Sequence, residues 1–498
     1  MTDMSLPPAS VRPPLDRAAA HRRFERKRTI ALTLIAAVVI GALVWLLWLL
    51  GKGDGDGVAY HWLTSFDNFL LGAGRLTAFL AGYFALIEVL LLARLPFLER
   101  YVGFDRLTIW HRWNGHAVIY LALAHVVFTV WGYAKQDGTN WFTEYWQWLT
   151  LPQPHAASSI SSGGAGGLPP LSIDTHPTTS PYPGIITATI GTALLVLVLV
   201  TSLVIVRRKL SYEWWYAIHF TAYAGIALAW FHMIPDGNDL IVDKQAQFVW
   251  KSFFVVALAL VLWYRLFRPV WHTFRYGMRV AEVIHEAPGV VSMRITGRNL
   301  DRLHTKAGQF YFWRFFTKGF WYTQHPYSLS EAPHGDSFRI TVKNLGDHSA
   351  KFGEIPIGTR VFAEGPFGVF TEDSRTLDKA LLIAGGIGIT PVRALLEEMD
   401  GDVVALYRVV SDEDIVFAGE LDRIATETGA KVNYVVGDHA SSHGRDLLSP
   451  AHLRELVPDI AERDVFICGP VAMIDFIVPN LRNANVSRQH LHVERFAL

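Results

Sequence analysis

The chain has 498 residues, with 45 basic and 45 acidic side chains and no formal net charge, which gives no support for a nucleic-acid partner. Its length exceeds one ordinary core and asks for about three units. The single cysteine, Cys468, excludes an intramolecular disulfide, a four-cysteine iron–sulfur site and a Cys-x-x-Cys-His covalent attachment of haem.

Residues 1–28 form a basic tail, and uncharged runs long enough to cross a ~30 Å hydrocarbon core follow at 29–50, 113–134, 185–206 and 214–235. Two further spans, around 69–93 with Arg75 and Glu88 and around 246–267 with Lys251 near one end, bring the expected count to six. The first run is too long for the apolar region of a signal peptide and no small-residue cleavage pattern follows it, so it is read as a retained helix. Arg94, Arg100 and Arg106 between the second and third spans, and Arg207, Arg208 and Lys209 after the fourth, fall on the same side as the tail. The loops 51–68, 135–184 and 236–245 are poor in basic residues. The positive-inside bias then places a multi-pass protein in the cell membrane with both termini in the cytoplasm. The tail also suits anionic lipid headgroups, although topology alone accounts for it. The Ser-, Gly-, Thr- and Pro-rich stretch 156–183 is expected as an extracytoplasmic loop with little regular structure.

Two spans carry paired histidines: His111 and His125, fourteen residues apart, and His219 and His232, thirteen apart. At about 1.5 Å per residue the members of each pair stand roughly 20 Å apart along a helix, so two such helices could clamp two flat metal groups at two depths of one bilayer. Imidazole is an axial ligand of haem iron, and ionisable residues inside a membrane mark functional sites. The alternative is a histidine hydrogen-bonded to a neighbouring helix, the commoner fate of a single one. On an ideal helix fourteen residues return to nearly the same face, whereas thirteen leave His232 well rotated from His219. With the expected topology both spans run outward, so His111 partners His219 on the cytoplasmic side and His125 partners His232 on the outer side. Arg75 falls near the depth of His125, either as a snorkelling side chain or as a contact for an anionic group.

From about residue 276 the pattern changes to short alternating runs such as 290–295 and 338–342, separated by Gly, Pro and Asp turns, which argues for a small antiparallel barrel. Within it His325-Pro326-Tyr327-Ser328 sets an aromatic ring beside a hydroxyl, able to stack on and hydrogen-bond a flat ring system. Residues 343–349 set a basic side chain and a turn where a pyrophosphate could be held, and Glu364-Gly365-Pro366-Phe367-Gly368 closes the run. Residues 379–391 then read strand, glycine loop, helix, an arrangement in which backbone N–H groups can approach a phosphate at a helix N-terminus. Strands at 403–407 and 464–467, the latter ending in Cys468-Gly469-Pro470, complete a nucleotide-binding α/β unit.

Taken in order, His325-Pro326-Tyr327-Ser328, Gly365-Pro366-Phe367-Gly368, Gly385-Gly386-Ile387-Gly388-Ile389-Thr390-Pro391 and Cys468-Gly469-Pro470 resemble the ferredoxin–NADP reductase superfamily across roughly 275–498. The membrane half, with its four histidines, resembles the ferric reductase and NADPH oxidase transmembrane domain, and together the likeness covers about 90–498. It implies a multi-domain fold: a six-helix transmembrane haem bundle at 29–270, an antiparallel FAD-binding β-barrel at 275–375 and a Rossmann-like α/β NAD(P)-binding domain at 377–498. It implies that Tyr327 and Ser328 contact the flavin ring, that His325 and Pro326 shape the adjoining wall, and that Lys343 and Ser349 approach the FAD phosphates. Gly385, Gly386, Gly388 and Thr390 would hold the pyrophosphate of the nicotinamide cofactor. Cys468, with Gly469 and Pro470, would border the nicotinamide, and Phe496 would cover the flavin, although Ala497 and Leu498 follow it.

The expected activity is electron transfer from cytoplasmic NADPH, with NADH as the alternative, through FAD and two bis-histidine haems b to extracytoplasmic oxygen or a ferric chelate. Arg408, just past the second strand of the nucleotide unit, could grip a 2′-phosphate and favours NADPH, while Asp412, Glu413 and Asp414 pull the other way. Two other readings stay open at this point: electron donation to an extracytoplasmic protein, and a haem-free transporter or sensor with a fused flavin domain. Nothing in the sequence speaks to the oligomeric state.

Overall fold

A computed structural model of the chain describes residues 17–51, 65–150, 184–236, 243–437 and 447–495. It divides into two compact units, one of residues 34–95 and 105–262, the other of residues 1–33, 96–104 and 263–498.

Each of the six stretches expected to span a membrane is helical. The helices are α1 (Arg17–Gly51), α2 (Phe66–Leu91), α3 (Phe104–Gln136), a short α4 (Trp141–Thr150), α5 (Ile185–Ser202), α6 (Tyr212–Asp236) and α7 (Lys244–Leu262). Helix α4 lies inside the expected extracytoplasmic stretch 135–184; residues 156–183 of that stretch are outside the described residues. Among the described residues five helices are long and apolar enough to cross a membrane, in α1, α2, α3, α5 and the run Lys244–Tyr276. Helix α6, rich in Trp, Tyr and His, is not one of them, so the expected count of six stands at five by that measure.

Small residues draw these helices together. Gly191 on α5 and Gly225 on α6 are so close that a Cβ on either would meet the other's carbonyl oxygen, at 2.9 and 3.1 Å. Lipid offers no hydrophobic drive for helix association, so close backbone approach and the dispersion contacts it permits take over. Trp250 of α7 is buried edge-on against Phe79 of α2, at 5.4 Å between ring centroids, and donates Nε1–H to Met233 Sδ of α6 at 2.8 Å.

In the other unit, the alternating runs become strands β1 (Arg279–Ala287), β2 (Val290–Thr296), β3 (Phe310–Phe315), β4 (His325–Ser328), β5 (Ser337–Lys343) and β6 (Val361–Phe367). They form two antiparallel three-stranded sheets, β1-β2-β5 and β4-β3-β6, and single bridges Arg279↔Arg360 and Leu329↔Ile340 join their edges. The period-two pattern sends Tyr311, Trp313 and Phe315 of β3 into one core with Met293, Ile295 and Ile340.

Strands β7 (Lys379–Gly385), β8 (Asp402–Val409), β9 (Lys431–Val436), β10 (Asp464–Gly469) and β11 (Leu491–Arg495) form a parallel sheet in the order β11-β10-β7-β8-β9. The central strands β7, β8 and β10 are continuous apolar runs because both of their faces are covered. Helices α8 (Ile389–Glu398) and α9 (Ala418–Thr428) pack Leu395 and Leu421 on the face that carries Leu382 and Ala405. Helix α10 (Val471–Asn483) packs Ile474 and Ile477 on the face of Leu381 and Ile383.

A charged network ties the antiparallel strands to the parallel-sheet part. Arg339 of β5, 4% exposed, makes two 2.8 Å bonds to the Glu420 carboxylate of α9, and Arg393 of α8 reaches Glu420 at 2.6 Å and Glu397 at 2.7 Å. Ala332 N–H donates to Glu397 at 2.9 Å. His334 Nε2 stands 3.7 Å from Glu397 and 3.6 Å from Glu331. The Glu397 contact is the largest cause of a raised His334 pKa, with partial burial opposing it and the charges of Glu397 and Glu331 adding to it. A histidine with a raised folded-state pKa contributes stability that is full below its unfolded value, near 6.5, and is lost as pH climbs through the folded value. The thermal midpoint lost in His334→Ala is therefore expected to be largest below about pH 6.5 and to shrink as pH rises above it, at under about 1 kcal/mol because the side chain is more than half exposed. A loss independent of pH would contradict this.

Candidate functional site

The four histidines meet in two pairs inside one unit. His111 of α3 lies against His219 of α6 with ring centroids 5.9 Å apart, and His125 of α3 lies against His232 of α6 at 6.3 Å. Because the earlier residue of α3 meets the earlier residue of α6, the two helices run in the same direction. The thirteen-residue spacing on α6, which an ideal helix would leave out of register, does not prevent the second pair from meeting.

Polar groups of neighbouring helices approach Nδ1 of three of the four rings. His125 Nδ1 lies 2.9 Å from the Gly74 carbonyl oxygen of α2 and 3.1 Å from Thr129 Oγ1, and Gly74 has no Cβ where Thr129 approaches. His111 Nδ1 comes within 2.6 Å of Glu88 Oε1 of α2, an ion-pair approach that lacks hydrogen-bond alignment, and His219 Nδ1 is 3.4 Å from Ser202 Oγ of α5. At His125 the Gly74 carbonyl can only accept, which fixes the tautomer whose Nε2 lone pair is free to bind metal. Trp215, one turn before His219, stacks on that imidazole at 4.9 Å and 28°, and the Arg207 guanidinium covers Trp215 at 4.7 Å.

The pair distances also suit one metal between two rings. Metal–imidazole bonds of about 2 Å on opposite sides of one ion put the two centroids roughly 6 Å apart. Among the described residues no three His, Cys, Asp or Glu side chains converge to hold a metal ion. The donor set therefore suits a metal whose remaining positions come from a macrocycle, which is how haem uses two axial histidines.

The expected flavin residues gather on β4. His325 and Tyr327 stack at 5.9 Å and 16°, His348 lies 5.2 Å from His325, and Tyr327 sits edge-on to Phe352 at 5.5 Å. Burial, then the neighbouring His348, holds His325 down at about 4, so its imidazole is neutral near pH 7; burial pushes the Tyr327 phenol up. Pro326 is exposed and Ser328 buried. Two expected phosphate contacts are engaged within the protein. Lys343 Nζ pairs with Asp414 at 3.1 Å, and Ser349 Oγ accepts from the Leu345 and Gly346 N–H groups at 2.9 and 3.0 Å, so the serine holds its own turn. No Cβ neighbour lies within 4 Å of Gly346, which leaves the turn open to an incoming group.

At the glycine turn a Cβ on Gly388 would collide with the Cys468 carbonyl oxygen, and Gly386 has φ +53° with open space around it. The bare backbone of the turn thus abuts the end of β10, where Gly469 and Pro470 start α10. Thr390 is buried and its hydroxyl donates to the Ile387 carbonyl at 3.1 Å, bracing the turn. The Cys468 side chain is wholly buried in the sheet core, and burial, with the Glu494 charge, pushes its thiol well up. Arg408 pairs with Gly385 in the β7–β8 register, and its guanidinium donates to the carbonyls of Val409 and Val435. Phe496 lies outside the described residues.

Residues 77–230 match the family described as ferric reductase like transmembrane component, 275–371 an FAD-binding domain, and 382–478 an oxidoreductase NAD-binding domain. The chain carries the domains of an NAD(P)H-dependent oxidoreductase with a ferric reductase-like membrane component. The glycine betaine monooxygenase reductase subunit of Chromohalobacter salexigens is 26% identical over 46% of this oxidoreductase and 67% of its own length. The 3-ketosteroid-9-alpha-monooxygenase ferredoxin reductase component of Mycolicibacterium smegmatis is 31% identical over 44% of this chain and 65% of its own length, and NADH oxidoreductase HCR of Escherichia coli is 27% identical over 33% and 52%. The oxidoreductase thus spans from about half to two thirds of these relatives' lengths. The FAD/NAD-binding domain of a nitric oxide dioxygenase from Vibrio cholerae aligns with 44% of it, and with 98% of its own length, at 24% identity and a TM-score of 0.36.

Sequence reasoning located the histidines and passed over what orients them. Glu88 was visible as an acidic residue within an apolar span, a signal that by itself points to function. Gly74, Thr129, Ser202 and Trp215 carry no such mark.

Proposed function

We propose that the oxidoreductase carries electrons from cytoplasmic NADPH through FAD and two haems b, held by His111/His219 and His125/His232, to oxygen or a ferric chelate on the outer side of a cell membrane. When bound, FAD would turn a two-electron hydride into single electrons and the haem irons would relay them. The observation that carries this reading is the pair of imidazole pairs at 5.9 and 6.3 Å, with the Gly74 carbonyl accepting at His125 Nδ1 and the Glu88 carboxylate within 2.6 Å of His111 Nδ1. The chain's own task is placement. The ring of antiparallel strands is taken as a flavin barrel and the five-stranded sheet as a Rossmann-like unit. Tyr327 and His325 offer a flat wall for the isoalloxazine, and Gly386 leaves open space for a pyrophosphate at the start of α8 while Gly388 packs the turn against the end of β10. His111 with His219 and His125 with His232 would each hold one haem, which would supply outer-sphere electron transfer to the acceptor.

A reduced-minus-oxidised absorption spectrum of the purified protein tests this directly. Two b-type haems per chain are expected, with NADPH oxidation that rises on adding oxygen or a ferric chelate. A protein without haem bands would be the transporter or sensor of the haem-free reading, and haem reduction without turnover on either small acceptor would favour an extracytoplasmic protein as the acceptor. For cofactor choice, Arg408 at the end of β8 is the residue proposed to meet a 2′-phosphate. Arg408→Ala is expected to raise KM for NADPH about tenfold and leave that for NADH within twofold; equal effects on both would remove Arg408 from this role.

A further inference from the structure

Helix α2 supplies the Nδ1 partner of both histidines on α3. Gly74 and Glu88 are fourteen residues apart on α2, the same spacing as His111 and His125, and the helices run oppositely, so Gly74 meets His125 while Glu88 meets His111. The two partners differ in kind. His125 faces a neutral backbone carbonyl and the Thr129 hydroxyl; His111 faces a carboxylate at 2.6 Å.

The carboxylate is built in. Glu88 is largely buried, and Asn114, one turn past His111 on α3, donates Nδ2–H to Glu88 Oε2 at 2.7 Å while also reaching the Phe84 carbonyl at 2.8 Å. Beside it, Gly115 makes room, since a Cβ there would stand 2.8 Å from Glu88 Oε1. A charge inside a membrane helix is costly and needs such partners. Asn114 holds one oxygen, and the other is left for His111.

We propose that Glu88 is a positioning residue that sets the reduction potential of the His111/His219 centre below that of the His125/His232 centre, giving electrons a direction between them. This rests on the haem reading above. A carboxylate at Nδ1 raises the basicity of the ligating imidazole and so favours the oxidised, more positive metal; a backbone carbonyl does so less. The asymmetry of the α2 partners thus becomes an asymmetry of potential, with the His111/His219 centre the better donor.

The test is a potentiometric titration of the haem absorption bands at one fixed pH, on the full-length protein in detergent. Glu88→Gln is expected to favour reduction of one centre by at least tenfold, which is 59 mV for a one-electron couple, and to leave the other within threefold. Glu88→Asp should fall between. Should Glu88→Gln lose the haem, Gly115→Ala decides, because it displaces the carboxylate from His111 without removing its charge, and the same upward shift of one centre is expected. Two haems whose potentials are both unmoved, or both moved alike, would overturn the role of Glu88 and leave the haem reading standing. A wild-type protein without haem would overturn the haem reading itself, and this inference with it.

Discussion

The double variant His125→Leu/His232→Leu is expected to lose one of two haems while keeping flavin chemistry. Leucine fills similar space without a donor atom, so the pair at 6.3 Å loses at once both imidazoles proposed to hold a haem. The Gly74 carbonyl that faces His125 belongs to a helix, where a carbonyl keeps its intrahelical partner, and the Thr129 hydroxyl can turn back to its own helix, so little is left unsatisfied by the change. The expected readout is haem content cut to half, turnover of oxygen or ferric chelate down at least a hundredfold, and NADPH oxidation by a dye that takes electrons from flavin within twofold of wild type. The dye assay separates loss of the electron path from loss of the fold, because the flavin and nucleotide motifs lie in the other compact unit. Bands and turnover that persist unchanged would refute the bis-histidine path.

A second large effect is expected from Gly388→Ala. The new methyl would collide with the backbone of Cys468 at the end of β10, an atom that no side-chain rotation can move aside. Overpacking of this kind costs roughly 1–3 kcal/mol, and relief requires the glycine turn and the start of α10 to part, which is the place proposed for the nicotinamide cofactor. NADPH oxidation is therefore expected to fall at least tenfold together with the thermal midpoint. Gly419→Ala on α9 is the matched control, since a Cβ there meets nothing within 4 Å and replacing a helical glycine stabilises by about 0.5–1 kcal/mol. If Gly388→Ala behaved like Gly419→Ala, the close approach of turn and strand would not matter to function.

Much of this protein is local in origin. Apolar runs in the first half specify helices whatever their neighbours, because a backbone in lipid must satisfy its own hydrogen bonds. Alternation at 290–295 and 338–342 specifies strands, now β2 and β5, although β5 is buried on both faces, and the continuous runs at 379–384 and 464–467 specify buried parallel ones, now β7 and β10. The paired histidines, the glycine turn and the His-Pro-Tyr-Ser strand were legible because each is a short motif whose chemistry needs adjacent or evenly spaced residues.

What tertiary structure decided is everything that depends on contacts between distant segments. That His232 meets His125 despite its awkward spacing follows from the packing of α3 and α6, which no single-helix period describes. Lys343 could be expected at a phosphate from its motif, but Asp414, about seventy residues later, lies within 3.1 Å of it. Thr390 and Ser349, expected at phosphates, brace their own turns. Above all, Glu88 stood in the sequence as an isolated charge in an apolar span, and only the packing of α2 on α3 set it against His111 with Asn114 and Gly115 around it. Sequence alone determined which residues could bind metal, flavin and nucleotide, since that is a property of side-chain chemistry. Which groups orient and polarise those residues was left to the fold, because a hydrogen bond between helices depends on distance in space and leaves no period along the chain.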